Sequence, residues 1–186
     1  MSEAVLKLVG ISGSLRQASH NTALLKTAAK MLPESVELTL VSIGELPFFN
    51  SDLTDESALK QVEAFKKVVS EADGLLIASP EYNYSVTGVL KNALDWASRP
   101  TYKSPLAQKP VGVLSAAASW AGGARSQAHL KAILGGVIAQ VFPYPEFLVG
   151  RSFEKFTAEG ELTDDTTREL LQQYLATYVE WVQKVR

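Results

Sequence analysis

Apolar residues along this chain alternate between two rhythms. Short runs of strand length, at residues 5–11, 36–41, 74–78, 111–114 and 147–149, are separated by longer stretches whose apolar positions recur every three to four residues. In 21–32 these are Leu24, Leu25, Ala28 and Leu32; in 58–72 they are Leu59, Val62, Phe65, Val68 and Val69. Residues 86–98 repeat the stripe through Val89, Leu90, Ala93 and Leu94, and 124–139 read as a further helix. A closing helix over 166–185 carries Leu170, Leu171, Tyr174, Tyr178 and Trp181. The pattern is strand then helix, five times over. Runs such as Gly74-Leu75-Leu76-Ile77-Ala78 are apolar without alternation, as strands covered on both faces are. Parallel strands need crossovers, and crossovers are right-handed, so the pattern predicts an α/β fold: a five-stranded parallel sheet with helices on both faces. A barrel would need eight units. The expected strand order is 2-1-3-4-5, which sets the first, third and fourth strands side by side. The loops that follow them, 12–20, 79–85 and 115–123, should then converge.

Composition narrows the picture. At 186 residues and 46% apolar, the chain suits one domain over residues 1–186, with no linker or repeat inside it. A net charge of −2 without a Lys/Arg-rich run argues against a nucleic-acid partner. Met1-Ser2-Glu3-Ala4 has no basic segment leading into an apolar one, and no window reaches 18 uninterrupted apolar residues. The expectation is a cytoplasmic protein with no membrane partner. Cysteine is absent and only His20 and His129 represent histidine, which removes disulfides, thiolate nucleophiles and iron–sulfur ligation and leaves little for a metal.

The first loop, Gly10-Ile11-Ser12-Gly13-Ser14-Leu15-Arg16-Gln17-Ala18-Ser19-His20-Asn21, holds three serines, one arginine and no acid where a strand feeds a helix. The first N–H groups of such a helix lack internal partners, and its dipole favours an anion there. Ser14, Ser19, Asn21 and Thr22 add neutral donors, and Arg16 adds a planar cationic fork suited to phosphate. No Gly-x-x-x-x-Gly-Lys-Ser/Thr or Gly-x-Gly-x-x-Gly occurs there, so a terminal phosphomonoester is preferred over a triphosphate or a pyrophosphate. Gly10-Ile11-Ser12-Gly13-Ser14 also narrowly misses the Gly-x-Ser-x-Gly of a hydrolase elbow. On spacing alone the same residues describe a polar turn that caps the next helix.

In the second loop Pro80 stiffens the strand exit, while Tyr82, Asn83 and Tyr84 offer flat faces and a hydrogen-bonding edge to an aromatic heterocycle. The tyrosines could equally cap the core, and Glu81 reads either as an acid or as an organiser of the turn. Ser115 opens the third loop, whose small residues let backbone approach a ligand closely. Trp120 could be a lid or an interface contact, and His129 sits inside a helix as a packing or interface residue.

At these residues the chain resembles the flavodoxin-like NADPH-dependent FMN reductases, in particular their bacterial quinone and chromate reductase branch. The resemblance rests on Gly13-Ser14-Leu15-Arg16-Gln17-Ala18-Ser19-His20-Asn21, on Pro80-Glu81-Tyr82-Asn83-Tyr84-Ser85 with Gly88-x-Leu90-Lys91-Asn92-x-x-Asp95-Trp96, and on Gly122-Gly123-Ala124-Arg125. It implies a flavodoxin-like three-layer sandwich with FMN as cofactor and NADPH or NADH as reductant. By this resemblance Ser14, Arg16, Ser19, Asn21 and Thr22 would hold the FMN phosphate. Pro80, Glu81, Tyr82, Asn83 and Tyr84 would border the isoalloxazine ring, and Ser115 with its loop would flank it from the other side. Such enzymes pass two electrons, in ping-pong fashion, from nicotinamide through FMN to a small-molecule acceptor: a quinone, chromate, an azo or nitro compound, or free flavin. The flavin carries that chemistry, so no catalytic side chain is expected. The resemblance also implies a homodimer or homotetramer, with Arg125, Tyr82, Tyr84 and Glu146 as interface candidates. The alternatives are a one-electron flavodoxin-type carrier, which its usual strong acidity disfavours, and a non-catalytic FMN-binding protein. A phospho-receiver would need acids after the first strand, where this chain has Ile11-Ser12-Gly13.

Overall fold

Side chains alternate across each central strand and so build two cores at once. The computed structural model describes residues 5–186; the tetrapeptide read above for a leader lies outside the described residues. In β1 (Leu6–Ser12), Leu6 and Leu8 enter one core while Val9 and Ile11 enter the other. The same division separates Leu76 from Leu75 and Ile77 in β3 (Gly74–Ala78), and Leu114 and Ala116 from Val111 and Val113 in β4 (Pro110–Ala116). This is why these runs are apolar throughout. β2 (Val36–Val41) borders β1 at the sheet edge, and its burial is correspondingly partial.

The sheet is parallel, in the order β2-β1-β3-β4-β5. Helices α1 (His20–Met31) and α5 (Asp165–Val185) cover one face. The other is covered by α2 (Glu56–Glu71), α3 (Gly88–Ala97) and α4 (Ala124–Gly136). Each boundary has a local cause. Asp55, Thr87 and Asp164 cap α2, α3 and α5 through side-chain oxygens that accept an N–H of the first turn. α4 stops at Gly136, short of the expected 139, because Gly135-Gly136 and the left-handed Ile138 (φ 57°) turn the chain toward the sheet.

The fifth position corrects the sequence expectation. Instead of one strand at 147–149, two short pieces share the edge of β4: β5 (Gln140–Val141) pairs with Pro110 and Val111, and β6 (Phe147–Val149) pairs with Leu114, Ser115 and Ala116. Pro143 and Pro145 lie between the pieces and lack the N–H a ladder requires. Val113 therefore faces a gap. The buried Tyr174 hydroxyl fills it, accepting from Val113 N at 2.9 Å and donating to Val113 O at 3.2 Å. Burial raises the Tyr174 pKa above its ordinary value, so the hydroxyl stays a neutral donor and acceptor. Tyr174→Phe should keep the ring packing and leave both Val113 groups unpaired, lowering the urea unfolding free energy by about 1–3 kcal/mol. An unchanged urea midpoint would show that the strand does not need this bridge.

At the carboxyl end of the sheet Ser12 pairs with Ala78 and Ala78 with Leu114, so β1, β3 and β4 release their loops side by side. The loops are tied together at their roots. Gly13 N donates to Ala78 O at 2.8 Å, Ser79 N to Leu114 O at 3.1 Å, and Thr87 Oγ1 to Gly13 O at 2.7 Å.

Candidate functional site

The loop after β1 approaches the loop after β3 closely enough to require glycine. A Cβ on Gly13 would lie 2.7 Å from Ser79 Oγ and 3.2 Å from the Ser79 Cα. Beyond it the chain enters α1, where Ser19 is the N-cap and its Oγ accepts Thr22 N at 3.2 Å. No acid occupies the first turn of α1, so the positive end of its dipole is left to a ligand. Ser14 is buried at the cleft wall, with its Oγ 3.4 Å from Arg16 N. Arg16 is exposed, and among the described residues its guanidinium has no carboxylate partner.

Asn21 serves the site from beneath. Its buried amide donates from Nδ2 to Ala116 O at 2.8 Å and accepts Ala116 N at Oδ1 at 2.9 Å. Helix α1 is thereby locked to the end of β4, and the spacing between the first and third loops is fixed. Thr22 stands behind the cradle: its hydroxyl donates to Ser12 Oγ at 2.8 Å, and its side chain does not line the cleft.

The second loop is a tight two-residue turn. Tyr82 and Ser85 exchange backbone hydrogen bonds of 3.1 Å in both directions, and Asn83 and Tyr84 between them have φ of 49° and 66°. Two consecutive left-handed residues form a turn of the mirror-image type, which lifts the tyrosine rings away from the core. Tyr82 and Tyr84 are accordingly exposed. The Arg125 guanidinium lies 4.1 Å from the centroid of the Tyr84 ring and 2.9 Å from Glu81 Oε1. The other Glu81 oxygen accepts the Arg125 and Ser126 N–H groups at 3.0 and 3.4 Å, capping α4 where Gly123 has no side chain to do so. Burial works to raise the Glu81 pKa, yet the hydrogen bonds from Arg125 and Ser126 outweigh it and hold the carboxyl below its ordinary value. Glu81 borders the cleft as an ionised brace, with both oxygens engaged.

The third loop departs from the expectation at Ser115. That residue is fully buried, donating to Gly122 O at 2.6 Å and accepting Gln127 Nε2 at 2.9 Å, and it supports the loop from below without reaching the cleft. Residues 116–121 form the wall instead. Gly122 and Gly123, with φ of 62° and 94°, make the return turn, and Trp120 is 86% exposed at the rim. Two residues that carry no local sequence signal complete the wall. Ser152 and Phe153 arrive from the segment after β6, which hydrogen-bonds from Ser152 N to Ala117 O at 3.0 Å.

Apart from Thr22 and Ser115, every residue expected at the site meets in one open cleft of about 800 Å³. Of the interface candidates, Arg125 is paired with Glu81 and Glu146 with Lys131 at 2.6 Å within the chain. His129 is exposed, 2.9 Å from Ser85 Oγ. Among the described residues no cluster of His, Cys, Asp and Glu could hold a metal, and no helix is long and apolar enough to cross a membrane.

A doubly wound sheet with a donor-rich cradle and an aromatic turn at its carboxyl ends defines a flavodoxin-like nucleotide-binding protein. The comparisons with known proteins give the family. The family model for NADPH-dependent FMN reductases matches residues 6–154. An NAD(P)H-dependent FMN reductase of Pseudomonas aeruginosa is 43% identical over 183 residues, covering 97% of each chain. A quinone reductase of Escherichia coli K12 is 40% identical over 189 residues, covering both chains fully. Among solved structures, the flavoenzyme NAD(P)H:(acceptor) oxidoreductase FerB from Paracoccus denitrificans superposes with a TM-score of 0.88 at 34% identity, over 97% of this chain and 99% of that one. The chain belongs to the NADPH-dependent FMN reductase family. It is an oxidoreductase with FMN as cofactor and NADPH or NADH as reductant. The residues present fit that cofactor: the cleft is lined by the neutral and cationic donors Ser14, Arg16, Ser19 and Asn21 together with Tyr82 and Tyr84, and among the described residues its one acid, Glu81, is paired with Arg125.

Proposed function

We propose that this protein is an NAD(P)H-dependent, FMN-containing quinone reductase that transfers two electrons by a ping-pong sequence, with nicotinamide and acceptor taking turns in the same cleft. One observation carries the reading. One open cleft brings together the hydrogen-bond donors of the first loop, Ser14, Arg16, Ser19 and Asn21, and the exposed aromatic residues Tyr82 and Tyr84 of the second. Ser14, Arg16, Ser19 and the first N–H groups of α1 bind the phosphate, and Asn21 holds their spacing to the third loop. Pro80, Tyr82, Asn83 and Tyr84 border the ring, with residues 116–121 opposite. FMN, held by these residues, would supply the hydride chemistry between reduced nicotinamide and the acceptor. The side chains position, exclude water and neutralise charge, and none is assigned as a general acid or base.

A cleft this open admits small flat acceptors of several kinds, which extends the reading from quinones to chromate, azo and nitro compounds and free flavin. It also leaves Tyr84, Trp120 and Phe153 exposed at its rim by 68%, 86% and 59%. These rings support a homodimer or homotetramer in which a second copy narrows the mouth. The kinetic test is a matrix of initial rates against NADPH and a soluble benzoquinone. Ping-pong turnover gives parallel double-reciprocal lines; lines that converge would mean both substrates occupy the site together, and the shared-cleft reading would be wrong.

A further inference from the structure

One residue at the head of α1 has no part in the account so far. His20 is the first residue of the helix, with its ring stacked on Phe156 at a centroid distance of 4.9 Å and an interplanar angle of 9°. Its Nδ1 lies 2.9 Å from the buried Ser152 Oγ. The stack fixes the ring plane and the hydroxyl engages one nitrogen, leaving Nε2 for a ligand. His20 borders the cleft together with Ser14, Arg16 and Ser19, and also an adjoining pocket that Lys26 and Glu159 line.

The charges around this ring are unbalanced. Arg16 comes from its own loop, Lys26 from α1 and Glu159 from the segment after β6. In that same segment Glu154 is paired with Arg151, and Lys155 with Asp164. Burial, and then the nearby Arg16 charge, lower the His20 pKa from its ordinary value of 6.5. A second cation beside Arg16 is unfavourable until an anion stands with them.

We propose that His20 is a further ligand of the phosphomonoester, binding it as imidazolium through Nε2, so that the phosphate and one proton enter the site together. The inference rests on the reading that the cradle takes the FMN phosphate. The proton comes from solvent and returns there on release. The free site holds His20 neutral near pH 7 and the dianion favours the charged form, so proton uptake spans the interval between the two pKa values. Affinity for FMN then falls as pH rises through that interval. The phosphate's own second ionisation, near pKa ~6, acts in the opposite direction, releasing a proton on binding. A variant without the imidazole separates the two contributions.

The test is calorimetric titration of the flavin-free protein with FMN, and separately with riboflavin, in buffers of different ionisation enthalpy, together with the ring NMR signals of His20. His20→Phe retains an aromatic ring on Phe156. The proposal expects the parent to take up more protons with FMN than His20→Phe does, and no such difference with riboflavin. It expects His20→Phe to weaken FMN binding about tenfold at pH 6.5 and by less than about threefold at pH 8.5. In the parent, FMN should raise the His20 titration midpoint. Equal proton counts in parent and variant, or a His20 midpoint unmoved by FMN, would overturn the role of His20 and leave the cofactor reading intact. If neither flavin bound, both would fall together.

Discussion

Arg16→Ala is expected to weaken FMN binding about 10- to 100-fold while leaving riboflavin affinity within about twofold. A hydrogen bond to a charged group contributes roughly 1.5–3 kcal/mol, and each 1.4 kcal/mol is a factor of ten in affinity. Arg16 is exposed, has no carboxylate partner among the described residues, and lies outside both cores, so its removal should not disturb the fold. Arg16→Lys should recover part of the loss, because an ammonium keeps the charge without the bidentate geometry of the guanidinium. The check is fluorescence titration of both flavins against the three proteins. Equal weakening for FMN and riboflavin would place Arg16 elsewhere than at the phosphate.

The second large effect is on stability. Asn21→Ala removes both partners of the Ala116 backbone and opens space beneath the cleft. Two buried peptide groups left without partners cost about 3 kcal/mol together. For a chain of this length each 1 kcal/mol moves the thermal midpoint by roughly 2–4 °C, so a fall of about 6–12 °C is expected. Asn21→Asp should also destabilise, since a carboxylate can accept from Ala116 N but only repels Ala116 O. FMN affinity should fall in both variants, through displacement of the loops. A midpoint within about 2 °C of the parent would mean that α1 and β4 hold their relation without this clamp.

How much of this was legible in the sequence depends on the range over which each feature is set. The doubly covered strands announced themselves because burial on both faces removes polar residues altogether, and the strand order is the one usual for a five-stranded doubly wound sheet. The meeting of Ser14, Arg16, Ser19 and Asn21 at one cleft was legible for the same local reason, serines, an arginine and no acid at a strand-to-helix junction; that they bind a phosphate is the proposal tested above. What failed depended on register and on distant contacts. Ser115 and a cleft-lining serine are the same residue type, and only the depth of β4 beneath Gly122 and Gln127 decides that this one points inward. Thr22 turns to Ser12 because the helix has rotated it away from the cleft. The split fifth strand was hidden because two residues of ladder carry no periodicity, although Pro143 and Pro145 marked the break. Ser152, Phe153 and the stack of Phe156 on His20 come from a segment far along the chain with no local motif.

Glu81 shows how geometry decides between chemically plausible roles. An acid in a cleft loop reads as a proton donor until its oxygens are found on the N-terminus of α4 and on Arg125. Among the described residues, the only acid lining the cleft is then engaged, which suits a cofactor that carries the reaction itself.

The most direct measurement of the central claim is the visible spectrum of the protein after stoichiometric FMN has been added and the excess removed, followed by anaerobic NADPH. The account predicts that the flavin bands stay with the protein and bleach on adding NADPH, in a single two-electron step, and that one equivalent of benzoquinone restores them. Flavin washed away from the parent as readily as from Arg16→Ala, or retained but left unbleached by both NADPH and NADH, would contradict it.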